Sequence, residues 1–194
     1  MNYNRLTFPS AENSLIKLED VKKHLRILHD TEDALIQGYL DTAVFHYENF
    51  TGRIVNLSTF KCTLDHFPNA GKMVELMRYP VKEIKEIKYA DAAGADQTFA
   101  LASCRIDYSE PSRLAPALNK SWPVTAPVLA AVTITFDCGY VDATKLRPSA
   151  RQAILMMAGH FYNNRESVVV GRVTNEVPYS AQLLMDNDKI SNRF

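Results

Sequence analysis

An α+β fold is predicted, with N-terminal helices and a C-terminal helix packed together and a β-rich insertion between them. Three observations carry it. Apolar residues keep helical spacing up to about Thr51, alternate with a period of two from about Phe60, and return to helical spacing after Thr144. At 194 residues the chain fits a single domain able to bury a sizeable core. Its helical parts are expected at about 15–52 and 144–187, its β-rich insertion at about 54–140, and a flexible tail at 186–194.

The first helix follows from Leu18, Val21, Leu25 and Leu28, with Glu19 and Asp20 in the first turn where the helix dipole favours acids. Asp30 is expected to cap a second helix, with Asp33 three residues on approximating a capping box. That helix should run from about Thr31 to Thr51 on the apolar stripe Ile36, Tyr39, Leu40, Ala43, Tyr47 and Phe50. Gly52 is placed to terminate it.

Strand character begins where Phe60, Cys62 and Leu64 alternate with polar neighbours, and continues through Met73 to Met77. Within YPVKEIKEIKYADAAG, the spacing of Val81, Ile84 and Ile87 suits a helical turn, but Pro80 before them and the β-favouring ending IKYAD point to a brief turn that becomes a strand. Ala92, Ala93 and Gly94 form a hairpin turn. SEPSRLAPALNKSWPVTAP is rich in proline and serine and is expected as an ordered excursion between strands. AAVTITFDCGY is a strand ended by Gly139 and Tyr140.

Thr144 is expected to cap the last long helix, with Pro148 in its first turn and an apolar face of Ala150, Ala153, Ile154, Met157, Ala158, Phe161 and Tyr162. SVVVGRVTNEV reads as an extended arm. Pro178 opens a short helix carrying Leu183 and Leu184, and the polar MDNDKISNRF follows as tail.

Lysines and arginines number 22 against 22 acids, so the formal net charge is zero. A protein that coats nucleic acid would need a strong basic excess. The apolar runs fall far short of the roughly 20 residues of a membrane helix, and the polar beginning MNYNRLTFPSAENS predicts a protein that stays in the cytosol where it is made. Cys62, Cys104 and Cys138 are widely spaced without a CxxC, as expected of reduced structural thiols.

No phosphate-cradling glycine motif, HExxH or GxSxG occurs, and His24, His29, His46, His66 and His160 lack paired ligand spacing. No cofactor or metal is expected. Asp107, Asp137 and Asp142 read as turn aspartates, and Trp122 as an anchor in the core or a loop. The polar cluster GHFYNNRES, residues 159–167, holds the densest chemistry. His160 and Asn164 share a face at i, i+4, and Arg165 suits the helix C-terminus. A hydrolase or transferase site around His160, Tyr162 and Glu166 is one alternative, and a module binding a protein through its β insertion is another.

The order of the motifs says more than any one of them. LEDVKKHLRI, EDALIQGYLDTAVFHYENFTGR, PVKEIKEIKYADAAG, NKSWP, the strand ending in GY, and AILMMAGHFYNNRE with a later VP and LL together resemble the head-tail connector (adaptor, head-completion) family of tailed bacteriophages, over about Leu15 to Leu184. The resemblance implies a non-enzymatic structural protein of the virion neck, assembled in the bacterial host cytoplasm. It implies self-association into a ring, expected as a dodecamer, beneath a portal protein. A stopper or tail-completion protein lies beyond, and DNA passes through the channel without sequence-specific binding. Glu48, Arg53, Arg165, Glu166, Val169, Leu183 and Leu184 are the candidate positions for contact with neighbouring subunits or the portal.

Overall fold

The computed structural model describes residues 1–7, 14–69, 72–165 and 178–190. The chain divides into two compact units: Met1–Pro9 with Asn56–Gly139, which is β-rich, and Ser10–Val55 with Tyr140–Phe194, which is helical. In sequence the first interrupts the second.

The β unit holds two antiparallel sheets. Strands β1 (Asn2–Arg5), β2 (Ser58–Leu64), β4 (Val81–Ala90), β5 (Asp96–Thr98) and β8 (Val132–Cys138) form one, in the order β1-β2-β8-β4-β5. Strands β3 (Val74–Leu76), β6 (Cys104–Asp107) and β7 (Ser112–Pro116) form the other, in the order β3-β7-β6. Strict alternation along β2 and β8 turns Phe60, Cys62, Ile134 and Phe136 to one face, where Phe60 pairs Phe136 and Cys62 pairs Ile134. All four are buried, and burial of each large side chain contributes about 1.5–3 kcal/mol.

Strand β4 explains a sequence signal that points the wrong way. Val81, Ile84 and Ile87 are all buried although they stand three apart. The pairing with β8 advances two residues on β4 for one on β8 between Val81 and Glu83, and again between Ile84 and Glu86. Each irregularity inserts one extra residue, so a side-chain period of two becomes three. The turn expected after Pro80 is missing: the strand begins at Val81, directly after it.

Two further segments differ from expectation. The start of the chain is a strand, β1, whose Tyr3 hydroxyl accepts a hydrogen bond from the Met77 amide at 2.9 Å. Part of the proline-rich excursion is β7, the central strand of the small sheet. The excursion beyond it is held by Trp122, which stacks on Phe67 at 4.6 Å, lies 5.3 Å from Phe99, and donates from Nε1 to the Lys72 carbonyl at 3.1 Å.

The helical unit contains α1 (Leu18–Leu25), α2 (Asp33–Thr51), α3 (Pro148–Asn163) and α4 (Tyr179–Asp188). Its core joins Ile36, Leu40, Ala43 and Tyr47 of α2 to Ala150, Ala153, Ile154, Met157 and Ala158 of α3, with Val21 of α1 and Ala181 and Met185 of α4. α1 stops at Leu25 because Arg26 turns left-handed at φ 59°. Asp30 does not cap α2: its carboxylate binds Lys22, and Glu32 precedes the helix. Gly52 ends α2 at φ 76°, as its sequence position predicts. Thr144 lies in a 3-10 turn with its amide bonded to Asp142 Oδ1 at 2.9 Å, and Pro148 is the first residue of α3. The expected arm SVVVGRVTNEV lies outside the described residues. Asp186 to Asp188, expected as tail, belongs to α4.

Gly139 offers a direct test of the β unit. It has φ 119°, and an added Cβ would stand 2.6 Å from the Asn56 carbonyl oxygen, a backbone atom that cannot swing aside. Gly139→Ala should cost about 3 kcal/mol, from strain and close contact together. Gly94, at φ 83° with open space around it, should lose only about 1 kcal/mol on the same change. Urea midpoints of the two variants would check the order.

Candidate subunit interface

The end of α3 shows what the polar cluster does. Tyr162 donates its hydroxyl to Glu32 Oε2 at 2.5 Å, and Arg165 pairs with Glu32 Oε1 at 2.7 Å. The Arg165 guanidinium also lies 4.8 Å from the Tyr162 ring centroid, while Tyr39 of α2 meets that ring edge-on at 6.5 Å. The Tyr162 hydroxyl, followed by Arg165, holds the Glu32 carboxyl below its ordinary value of 4.5. Asn164 Nδ2 donates to the His160 carbonyl at 2.9 Å and lies 3.3 Å from His160 Nδ1. The cluster clamps α3 to the start of α2 within one chain. His160 and Tyr162 are engaged by structural partners; Glu166 lies outside the described residues.

A second polar cluster went unread in the sequence. Asp188, the last residue of α4, is 2% exposed, and its carboxylate accepts from Tyr47 at 2.9 Å and from Ser149 at 2.7 and 2.8 Å. Arg147 pairs with it at 3.3 Å, and Arg53 Nε donates to its backbone carbonyl at 2.6 Å. Burial, then the bond to Asp188, push the Tyr47 phenol far above its ordinary pKa. Only Pro178 and the LL pair marked this helix in the sequence, and the polar run around Asp188 resembled a solvated end.

The candidate contact positions separate accordingly. Glu48 is buried, and its Oε1 accepts the Val55 amide at 2.8 Å; Arg53 is buried against Asp188. Both face inward because the turn after α2 carries Ile54 and Val55 into the interior, where its backbone groups need polar partners. Leu184 packs against the helical core. Arg165 and Leu183 remain accessible, Leu183 being 49% exposed. Val169, like Glu166, lies outside the described residues. Leu28, Leu35, Phe45 and Tyr179 add exposed apolar surface to the helical unit.

Each of the three aspartates has its own partners, and two of them lie in strands where turns were expected: Asp107 ends β6, and Asp137 is in β8. Asp107 binds Arg113 and the Ser109 amide, Asp137 binds Lys85 and Thr59, and Asp142 holds Thr144. Hydrogen bonds from Ser109, then Arg113, take the Asp107 carboxyl down to about 2. Cys62 and Cys138 are buried thiols outside any disulfide, and burial pushes the half-buried Cys104 up to about 11. Among the described residues, no group of histidine, cysteine or acidic side chains is arranged to hold a metal ion. Among the same residues, no helix is long and apolar enough to cross a membrane.

Asp188→Ala should destabilise the helical unit by about 3 kcal/mol, since it leaves buried donors without their acceptor; the loss of helical circular dichroism on heating would measure it. Glu32 gives a pH signature. Its carboxyl is lowered in the fold, so its contribution is complete above the ordinary value of 4.5 and is lost as pH falls below it. The stability difference between wild type and Glu32→Gln should therefore shrink on acidification through that range, as read from urea midpoints at a series of pH values.

Comparison with known proteins places this architecture. The neck of an empty gene transfer agent (GTA) particle, computed with C6 symmetry, contains a chain with TM-score 0.80 and 22% identity, covering 100% of this chain and 98% of that one. A chain in the virion of the native GTA particle matches with the same values. One in the neck of the native particle, computed with C12 symmetry, matches at TM-score 0.77 and 21% identity, with the same coverage. These likenesses establish the shared fold across the whole length. Curated protein sequences give no match. A family model described as "Phage gp6-like head-tail connector protein" matches residues 15–120, more than half of the chain, and the chain therefore belongs to the phage head-tail connector family.

Proposed function

We propose that copies of this chain form a closed ring at the head-tail junction of a virion, beneath a portal protein, and extend the DNA path toward a stopper or tail-completion protein. Membership of the connector family carries the reading. It is supported by the whole-length likeness to chains in GTA necks computed with C6 and C12 symmetry, which makes a dodecamer the expected copy number.

The role is structural, without turnover of its own. His160 and Tyr162, the groups first weighed for chemistry, are held by Asn164 and Glu32 at a helix junction. The balance of 22 basic and 22 acidic residues suits a wall that DNA must slide past, because many phosphate contacts would release counterions and hold the duplex in place. Arg165 and Leu183 stay candidates for contact with the portal or a neighbour. Glu48 and Arg53 act inside their own unit.

Electron microscopy of the purified full chain, alone and with its portal, tests the assembly. Rings of uniform diameter, or rings formed only on the portal, are the expected result. A chain that stays monomeric and leaves the portal unoccupied would overturn the proposal.

A further inference from the structure

Two exposed surfaces of the helical unit have complementary chemistry and no use among the described residues. On α2, Gly38, Asp41, Thr42 and Phe45 follow at i, i+3, i+4 and i+7, and all four are exposed. Phe45 is 63% exposed. Glycine weakens the middle of a helix, yet nothing lies within 4 Å of where a Gly38 Cβ would stand. No contact among the described residues calls for its bare backbone; close approach by another molecule would. Asp41 takes a hydrogen bond from Gln37 at 2.8 Å and has no cationic partner among the described residues.

The second surface is a groove of about 590 Å³ beside α1, with Leu18, Ile27 and Leu28 as its apolar part, Lys22, Lys23 and Arg26 as its basic part, and Glu19, Asp30 and Asp33 as its acidic part. Leu28 is 97% exposed. Lys22 is neutralised by Asp30 and Asp33, whereas the side chains of Lys23 and Arg26 have no partner among the described residues. Asp33, on the wall of the groove, lies about 18 Å along the α2 axis from Phe45. A chain cannot fold this one helix back on itself to join them.

We propose that the Phe45 face of one copy docks in the α1 groove of the next, with Phe45 against Leu18, Ile27 and Leu28, and Asp41 beside Lys23 and Arg26. The proposal rests on the ring reading and names the subunit contact. The occupant is a second copy because Phe45 supplies an apolar anchor for Leu18, Ile27 and Leu28, and Asp41 supplies an acid for Lys23 and Arg26, the cations of the groove left without a partner among the described residues. An exposed aromatic is the usual anchor of such contacts. Two unlike patches on one compact unit make a head-to-tail contact, which closes into a ring when the rotation between copies permits.

Phe45→Glu removes the knob, and Leu28→Glu blocks the groove. Each variant should keep the wild-type circular dichroism and melting temperature, and its association in sedimentation velocity should weaken by about tenfold or more. Mixed in equal amounts, they should form dimers but no rings, since one intact knob and one intact groove remain between them. Asp41→Lys should weaken association in the same way, and Lys23→Asp with Arg26→Asp in the partner should restore it. If both glutamate variants form rings as wild type does, or the mixture yields no dimer while wild type forms rings, the contact is wrong and the ring reading stands. For a weakly associating wild type, oxidative trapping of a Phe45→Cys chain with a Leu28→Cys chain decides. A mixed disulfide dimer above the level of each chain alone supports the contact. Its absence, with no rings from wild type alone or on the portal, overturns both readings.

Discussion

One buried carboxylate ties the helical unit together. Asp188 receives hydrogen bonds from Tyr47 on α2 and Ser149 on α3 and pairs with Arg147, and its carbonyl receives Arg53 from the turn after α2. These groups come from three stretches of sequence, two of them separated by the whole Asn56–Gly139 insertion. Apolar packing between α2 and α3 is nondirectional. A hydrogen-bonded carboxylate, in contrast, admits one arrangement of the segments that meet it, so it fixes which turn of each helix faces which.

Glu32 does comparable work near the opposite ends of these helices. It joins the start of α2 to the end of α3 through Tyr162 and Arg165. One clamp near each end of an antiparallel-running pair limits sliding of one helix along the other. In the proposed ring, rigidity of this kind would matter because an angular error at one contact is multiplied by every copy in the circle.

Much of this was legible in the sequence where a single local rule applied. Helical spacing located α2 and α3, alternation located β2 and β8, and Gly52 and Gly94 marked a helix end and a turn. Legibility failed where two rules competed. The irregularities of β4 gave part of a strand the spacing of a helical turn, so that only its later half was expected as strand, and the prolines around β7 concealed a strand in the middle of a small sheet. Asp188, Glu48 and Arg53 misled for a different reason: a charged residue reads as solvent-facing unless its partners are known, and the partners of Asp188 lie 39 to 141 residues away. The exposed face of α2 was visible as a face, but its glycine acquired meaning only once the surrounding space was seen to be empty.

The stacking of Trp122 on Phe67 has a practical consequence for spectroscopy. Trp122 is the sole indole in the chain, and it belongs to the β unit, whereas the four α-helices of the described residues belong to the helical unit. Its fluorescence emission therefore reports the melting of one unit while far-ultraviolet ellipticity is dominated by the other. Whether the two halves unfold as one cooperative body becomes a matter of overlaying two optical traces, with no label introduced.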